Sequence, residues 1–331
     1  MAGRRRKKSG GRSYAWRYRG RIVACVFVEV IIICALVIMI GWNKGVKEWF
    51  EQFEQPVLKE VDISGINSPN AILMQVRGGK ILGEINGEAQ IYPASMTKIM
   101  TVILGIENFD DLDEKITLTN EMFTGLYEQD ATQAGFQPGE EVRVIDLLYG
   151  AMLPSGAECC IALADTISGS EADFAELMNK KARKLGMENT HFCDSTGLHN
   201  PDHYSTVKDI AVLMKYCIKN DTFREIVETS RHSTGVTNIH PDGITYYSTM
   251  FKNLSDPTVT GGKILGGKTG YTSEAGHCLV SFAEIEGREY IFVSAGASGA
   301  DGNTIPHIQD AVTVYNRVCA AIEAKMNNNN K

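Results

Sequence analysis

Ile22 to Ile40 is an apolar run of 19 residues in which Glu29 is the only charged side chain. At about 1.5 Å of rise per residue, a helix of that length crosses a hydrocarbon core roughly 30 Å thick. Residues 1–21 carry nine Lys or Arg and no acid, and positive charge of this kind is retained in the cytoplasm. Trp16, Tyr18 and Trp42 suit the two interfaces. A cleavable signal peptide has an apolar region of only about 7–15 residues and a small-x-small cleavage site, and nothing like Ala-x-Ala follows Ile40. The expectation is an uncleaved, single-pass transmembrane anchor over residues 22–42, with residues 1–21 as a cytoplasmic basic arm. The rest would lie outside the cell or in the periplasm. A carboxylate in hydrocarbon is costly, so Glu29 is expected to be neutral there.

The net charge of -7 hides a strong asymmetry, since from Asn43 onward there are 24 basic and 39 acidic residues, a balance of -15. An acidic body repels nucleic acid phosphates, so no nucleic acid partner is expected. With 331 residues and 44% apolar content, the chain can build a substantial core. Six cysteines lie beyond the apolar run, with no Cys-x-x-Cys among them. Buried free thiols are the expectation.

Val46, Phe50, Phe53 and Val57 recur at helical spacing, and residues 43–66 read as a juxtamembrane linker. The folded domain is expected over residues 67–326. Two strands, Ala71–Val76 and Ile81–Ile85, flank Arg77-Gly78-Gly79-Lys80, where paired glycines supply the positive φ of a tight hairpin. After Pro93 the pattern turns helical, which puts Ser95 in a first turn. Helices are expected at about Val142–Leu153, Ala157–Ile167, Ala172–Leu185 and Val207–Ile218. The last two open on Ser170-x-x-Asp173 and Thr206-x-x-Asp209 caps. Strands at Cys278–Glu284 and Glu289–Ala295 follow, then a helix from about Ile308 to Lys325 packed on the sheet. Residues 327–331 read as a disordered tail. Strands at both ends of a helical middle imply an α/β domain whose terminal segments share one antiparallel sheet.

Serine is a weak nucleophile that needs a base, and Ser95 and Lys98 at i and i+3 share one helical face. Lysine is a base only when neutral, which requires burial or a second cation nearby; Lys268 could supply that cation. Ser205-Thr206-Val207-Lys208 has the same spacing. Only Ser95, however, is preceded by Pro93-Ala94 and followed by Ser155-Gly156 and by Lys268-Thr269-Gly270, a tripeptide that comes after Gly266-Gly267 and reads as preceding a strand.

These elements resemble the serine-type penicillin-recognising enzymes, with their Ser-x-x-Lys, Ser-Asp-Asn and Lys-Thr-Gly motifs. Within that group the chain most resembles the low-molecular-weight D-alanyl-D-alanine carboxypeptidases of peptidase family S11. The likeness runs through Pro93 to Thr101, Leu153-Pro154-Ser155-Gly156 and Gly267-Lys268-Thr269-Gly270-Tyr271-Thr272. It extends to Thr190-His191-Phe192, Gly197-Leu198 and His203-Tyr204-Ser205-Thr206. The resemblance implies a β-lactamase/transpeptidase-like fold, an antiparallel sheet with a helical subdomain. It implies a Ser95 acyl-enzyme with the penultimate D-alanine of a stem peptide ending in D-Ala-D-Ala, and β-lactams as covalent inhibitors. Lys98 would take the Ser95 proton and Ser155 would relay a proton to the leaving D-alanine. Lys268, Thr269, Gly270 and Tyr271 would line the substrate site, the first two on its carboxylate. Backbone N–H groups of Ser95 and Tyr271 would form an oxyanion hole, each donor worth about 3 kcal/mol. Ser205 takes a structural role. No cofactor or metal is implied. One departure is Ala157, which stands where the family usually has Asn.

Rival readings are weaker on specific residues. His199 and His203 have the i, i+4 spacing of a zinc pair, but Pro201 breaks the helix such a pair needs. A β-lactamase would need a water activator; Glu176-Leu177-Met178-Asn179 has the wrong spacing and reads as ordinary helix surface. A D,D-endopeptidase, or a sensor that acylates without turnover, would share the same nucleophile.

Overall fold

The computed structural model describes residues 58–254, 256–299 and 305–329. The basic arm, the apolar run and the helical spacing up to Val57 lie outside these residues. Among the described residues no helix is long and apolar enough to cross a membrane.

The compact unit begins at Leu58, nine residues before the expected boundary. Leu58, Val61 and Ile63 are buried, and Val61 N–H donates to Leu82 O at 2.7 Å. Arg317 caps the Asp62 and Ser64 carbonyls. Residues 58–66 are therefore a strap on the domain and not part of a linker. Each apolar side chain fully buried there contributes roughly 1.5–3 kcal/mol.

Strands β1 (Asn70–Gln75) and β2 (Lys80–Ile85) form the expected hairpin, and Gly78 and Gly79 both have positive φ. A 3-10 turn at Ala94–Thr97 then runs into helix α1 (Lys98–Asn108). Next come β3 (Lys115–Thr117) and β4 (Glu141–Arg143), then α2 (Val144–Met152), α3 (Ala157–Ser168) and α4 (Glu171–Leu185). Helix α5 (Val207–Cys217) and α6 (Asp221–Glu228) close the helical layer. The caps foreseen for α4 and α5 form, with Ser170 and Thr206 accepting from the N–H groups of Asp173 and Asp209. After β5 (Arg231–Ser233), β6 (Thr245–Tyr247) and the short α7 (Thr249–Asn253), the chain returns to the sheet. It does so through β7 (Thr258–Val259), β8 (Gly262–Thr272), β9 (Gly276–Ile285) and β10 (Arg288–Ala297). The β9–β10 turn places Glu286 and Gly287 at positive φ, as a two-residue type I′ turn demands. Helix α8 (Pro306–Asn329) ends the described chain, so Asn327 to Asn329 continue a helix where a disordered tail was expected.

The main sheet has the order β2-β1-β10-β9-β8-β7 with antiparallel neighbours throughout. The first and last described strands, β1 and β10, are thus partners inside it. Alternation splits the core in two. Ile72, Met74, Val280, Phe282, Ile291 and Val293 face the helical layer, whereas Leu73, Leu279, Ala283, Tyr290 and Phe292 face Val314, Tyr315 and Val318 of α8.

Two further expectations change. Lys268-Thr269-Gly270 precedes strand β9 as expected, but it lies within a further long strand, β8, that the expected elements do not include. Asn179 is buried, not surface; its amide donates to Phe192 O and its oxygen accepts from Phe192 N–H, both at 2.8 Å. All six cysteines among the described residues are free, five of them buried and Cys193 half-buried.

Candidate active site

Ser95 stands in the 3-10 turn before α1, and Lys98 is the first residue of that helix. The one-turn offset brings Lys98 Nζ to 3.0 Å from Ser95 Oγ. Lys98 Nζ also donates to Thr196 O at 2.7 Å. Ser155 enters from the loop between α2 and α3; its hydroxyl lies 3.0 Å from Ser95 Oγ. Lys268 on β8 donates to Ser155 Oγ at 3.0 Å and to Thr269 O at 2.9 Å. Four residues from three separate stretches of chain thus form one continuous path, Lys98–Ser95–Ser155–Lys268.

Backbone conformation shows what this convergence demands. Ala94 and Ser155 have φ of 46° and 74°, in the left-handed region that costs a non-glycine residue about 1 kcal/mol or more. The two strained positions immediately precede, or are, members of the path. Gly270 answers a different need. A Cβ there would lie 2.9 Å from Ser95 N and 3.1 Å from Ala94 Cβ, so only glycine lets β8 press against the turn that carries Ser95.

Both ammonium groups are buried, Lys98 and Lys268 being 3% and 1% exposed. Burial holds Lys98 below the usual lysine range, while Cys160, Asp194, Glu158 and Cys159 pull the other way. Burial, followed by the charge of Lys98, holds Lys268 well below that range. Burial also pushes the thiols of Cys159 and Cys160 up, Cys160 to about 12, so both stay neutral near pH 7. The arrangement is that of a serine beside an amine able to lose its proton.

Thr269 and Tyr271 stand apart from the path. Alternation along β8 turns them to the face opposite Lys268. Thr269 Oγ1 meets Thr249 Oγ1 at 2.7 Å, and Thr249 N–H donates to Leu153 O, so α7 ties β8 to the Ser155 loop. The exposed Tyr271 ring packs on His277, which stacks on His307 of α8. Ser205 pairs its backbone with Ile91 and its hydroxyl with Thr190, a structural role. His203 is buried, with Nδ1 on Asp194 and Nε2 on Thr97, whereas the exposed His199 packs edge-on against Tyr92. The two histidines serve different neighbours.

Ala157 is buried at the start of α3, its N–H donating to Thr132 O at 2.8 Å. The residue after it, Glu158, is the polar group that this stretch places inside. Its Oε1 accepts from the N–H groups of Ala134 and Gly135, and burial raises its pKa. Glu158, Thr249 and Asp194 have no motif of their own, whereas His203 opens the family-like run His203-Tyr204-Ser205-Thr206.

A family model described as D-alanyl-D-alanine carboxypeptidase, peptidase family S11, matches residues 57–299. The chain belongs to that family. The D-alanyl-D-alanine carboxypeptidase DacF of Bacillus subtilis is 35% identical over 233 residues, covering 69% of this chain and 57% of the relative. DacC of Escherichia coli is 33% identical over 262 residues, covering 72% of this chain and 58% of the relative. The chain therefore spans somewhat more than half the length of these S11 relatives. Among solved structures, the Streptomyces K15 DD-transpeptidase superposes with a TM-score of 0.66 at 27% identity, covering 82% of this chain and 99% of that one. The mixed α/β fold with its antiparallel sheet is that of the DD-peptidases.

Proposed function

We propose that this chain is a serine-type D-Ala-D-Ala carboxypeptidase that removes the terminal D-alanine from peptidoglycan stem peptides. The observation that carries the reading is the unbroken path from Lys98 through Ser95 and Ser155 to Lys268, each step at 3.0 Å. Neutral Lys98 accepts the Ser95 proton as Oγ attacks the carbonyl of the penultimate D-alanine. Ser155, in contact with Ser95 and Lys268, hands its proton to the departing D-alanine nitrogen, and the proton that Lys98 took from Ser95 replaces it. Lys268 faces the substrate's terminal carboxylate. Backbone N–H groups of Ser95 and Tyr271 stabilise the oxyanion. Water then attacks the ester and frees Ser95. β-Lactams, which carry a reactive amide and a carboxylate, acylate the same oxygen. Residues 22–42 hold the enzyme to the membrane, with residues 1–21 in the cytoplasm and the catalytic domain outside; the charge asymmetry and the apolar run support this placement.

The experiment is release of D-alanine from a pentapeptide ending in D-Ala-D-Ala, for the full chain and for Ser95→Ala. Turnover is expected only with Ser95; equal turnover in both would overturn the assignment. A second outcome, transfer of the acyl group to an amine, is favoured by the likeness to a protein named a DD-transpeptidase. Adding glycylglycine distinguishes the two, since transfer yields a new peptide and hydrolysis does not.

A further inference from the structure

A second set of buried polar groups closes around the first. Asp194 Oδ1 accepts from Thr196 N–H, Thr196 Oγ1–H and Gly197 N–H, each at 2.7 Å. These bonds fix the carbonyl of Thr196, which is the one that receives Lys98 Nζ. The other oxygen, Oδ2, meets His203 Nδ1 at 3.1 Å, and His203 Nε2 meets Thr97 Oγ1 at 2.9 Å. Through its two ring nitrogens His203 thus bridges the Asp194 carboxylate and the Thr97 hydroxyl, and Cys193 N–H points at the same Nδ1 at 3.2 Å. Thr97 precedes Lys98, and the ring of contacts closes: Lys98, Thr196, Asp194, His203, Thr97. Thr97, Thr196 and His203 are all at most 2% exposed. Gly197 seals the contact at a φ of 80°, since a Cβ there would fall 1.9 Å from Ala94 O and 2.8 Å from Thr97 Oγ1.

We propose that Asp194 and His203 are positioning residues for acylation. Together they lock the Thr196 carbonyl and the Thr97 side of the nucleophile's turn into one frame, which keeps Lys98 Nζ on Ser95 Oγ. This rests on the reading of Ser95 as nucleophile and Lys98 as its base.

Asp194 has an electrostatic part as well. The groups facing Lys98 are Glu158, Cys159 and Cys160 from α3, Lys268 from β8 and Asp194 from its own loop. Those facing Asp194 are His203, Cys193 and Glu171. Burial alone would raise Asp194; the bond and charge of His203, with the Thr196 donors, hold it at about 2. Burial raises the neighbouring thiols and Glu158, whereas Asp194 is held low, so of the carboxylates facing Lys98 it keeps its charge furthest into acid. Burial lowers Lys98 most, and the charge of Asp194 works against it, favouring protonated Lys98 and raising the lower edge of the pH range in which Lys98 is a base.

The test is the second-order rate of acylation of the full chain by a fluorescent penicillin as a function of pH, with melting temperature in parallel. Asp194→Asn is expected to slow acylation about tenfold or more. It should also move the acidic limb down by about half a pH unit or more, because the neutral amine is then easier to reach. His203→Gln should slow acylation without moving the limb down. Thr97→Val should slow it to a similar degree, and Thr97→Ser, which keeps the hydroxyl, should restore it to within about threefold. Unchanged rates in Asp194→Asn and Thr97→Val would overturn the proposal. So would lost rates with an unmoved limb and Thr97→Ser no better than Thr97→Val. Should Asp194→Asn not fold, the Thr97 pair decides. A parent chain that is never acylated would remove the reading on which the proposal rests.

Discussion

The Ser155 hydroxyl lies 3.0 Å from the Ser95 hydroxyl and joins it to a lysine on the opposite wall. Removing it interrupts the path at its middle. Ser155→Ala should lower the acylation rate about 100-fold or more, the usual size of a lost proton-transfer group. Ser155→Gly should be equally slow, yet melt at or above the parent temperature, because glycine relieves a backbone held at a φ of 74°. Thermal melts beside penicillin acylation separate the two effects.

Gly270 sets how closely β8 approaches the nucleophile. Gly270→Ala puts a methyl 2.9 Å from Ser95 N, and the strand or the turn must yield. A cost of about 1–3 kcal/mol in stability is expected, together with acylation at least tenfold slower. Denaturant unfolding and acylation kinetics check both.

Lys268 is a buried amine with a pKa well below the ordinary 10.5. Its unfolded form therefore binds a proton more readily than its folded form, so stability rises with pH between the two values. Lys268→Met removes that dependence. The variant should be inactive toward D-Ala-D-Ala peptides and more stable than the parent, with the advantage largest at acid pH and vanishing near pH 10.5. Unfolding curves over that range measure it; an advantage that grows with pH would contradict the sign.

Asp310 on α8 accepts four bonds at the entrance of the domain, from the N–H groups and side chains of Asn67 and Ser68. Asp310→Ala leaves those donors unpaired and should destabilise by about 3 kcal/mol. Truncation before Pro306 uncovers Leu279, Tyr290 and Phe292 and should prevent folding altogether, as judged by loss of a cooperative melt.

Much of this was legible where local chemistry decides. The first hairpin announced itself through Gly78-Gly79, and α4 and α5 through their Ser170 and Thr206 caps. Ser95, Lys98, Ser155 and Lys268 came from three motifs that the fold brings together. What stayed hidden depends on distant partners. Asn179 sits at an ordinary helical position, and only the Phe192 backbone makes it internal. Leu58, Val61 and Ile63 are too few to show a period, and their burial comes from α8, some 250 residues on, to which Arg317 ties the same strap. Strand β8 around Lys268-Thr269-Gly270 has no apolar alternation to show it; Gly266 and Gly267 are there because the Val227 backbone and the Met250 sulfur leave no room for a Cβ. The pairing of Asp194 with His203 likewise has no local trace.

The pairing of β1 with β10 also governs timing. Asn70 and Ala295, neighbours in the sheet, are 225 residues apart in the chain. At roughly 5–20 residues per second of synthesis, the first hairpin waits some 10–45 seconds for the strand that will cover its open edge. Until β8 follows, the turn bearing Ser95 has no strand to lean on, and the Lys268 end of the path is missing. An unpaired hairpin in that interval is the species most exposed to edge-to-edge aggregation, so folding yield should be more sensitive to changes in β10 than to equal losses of stability in the helical layer.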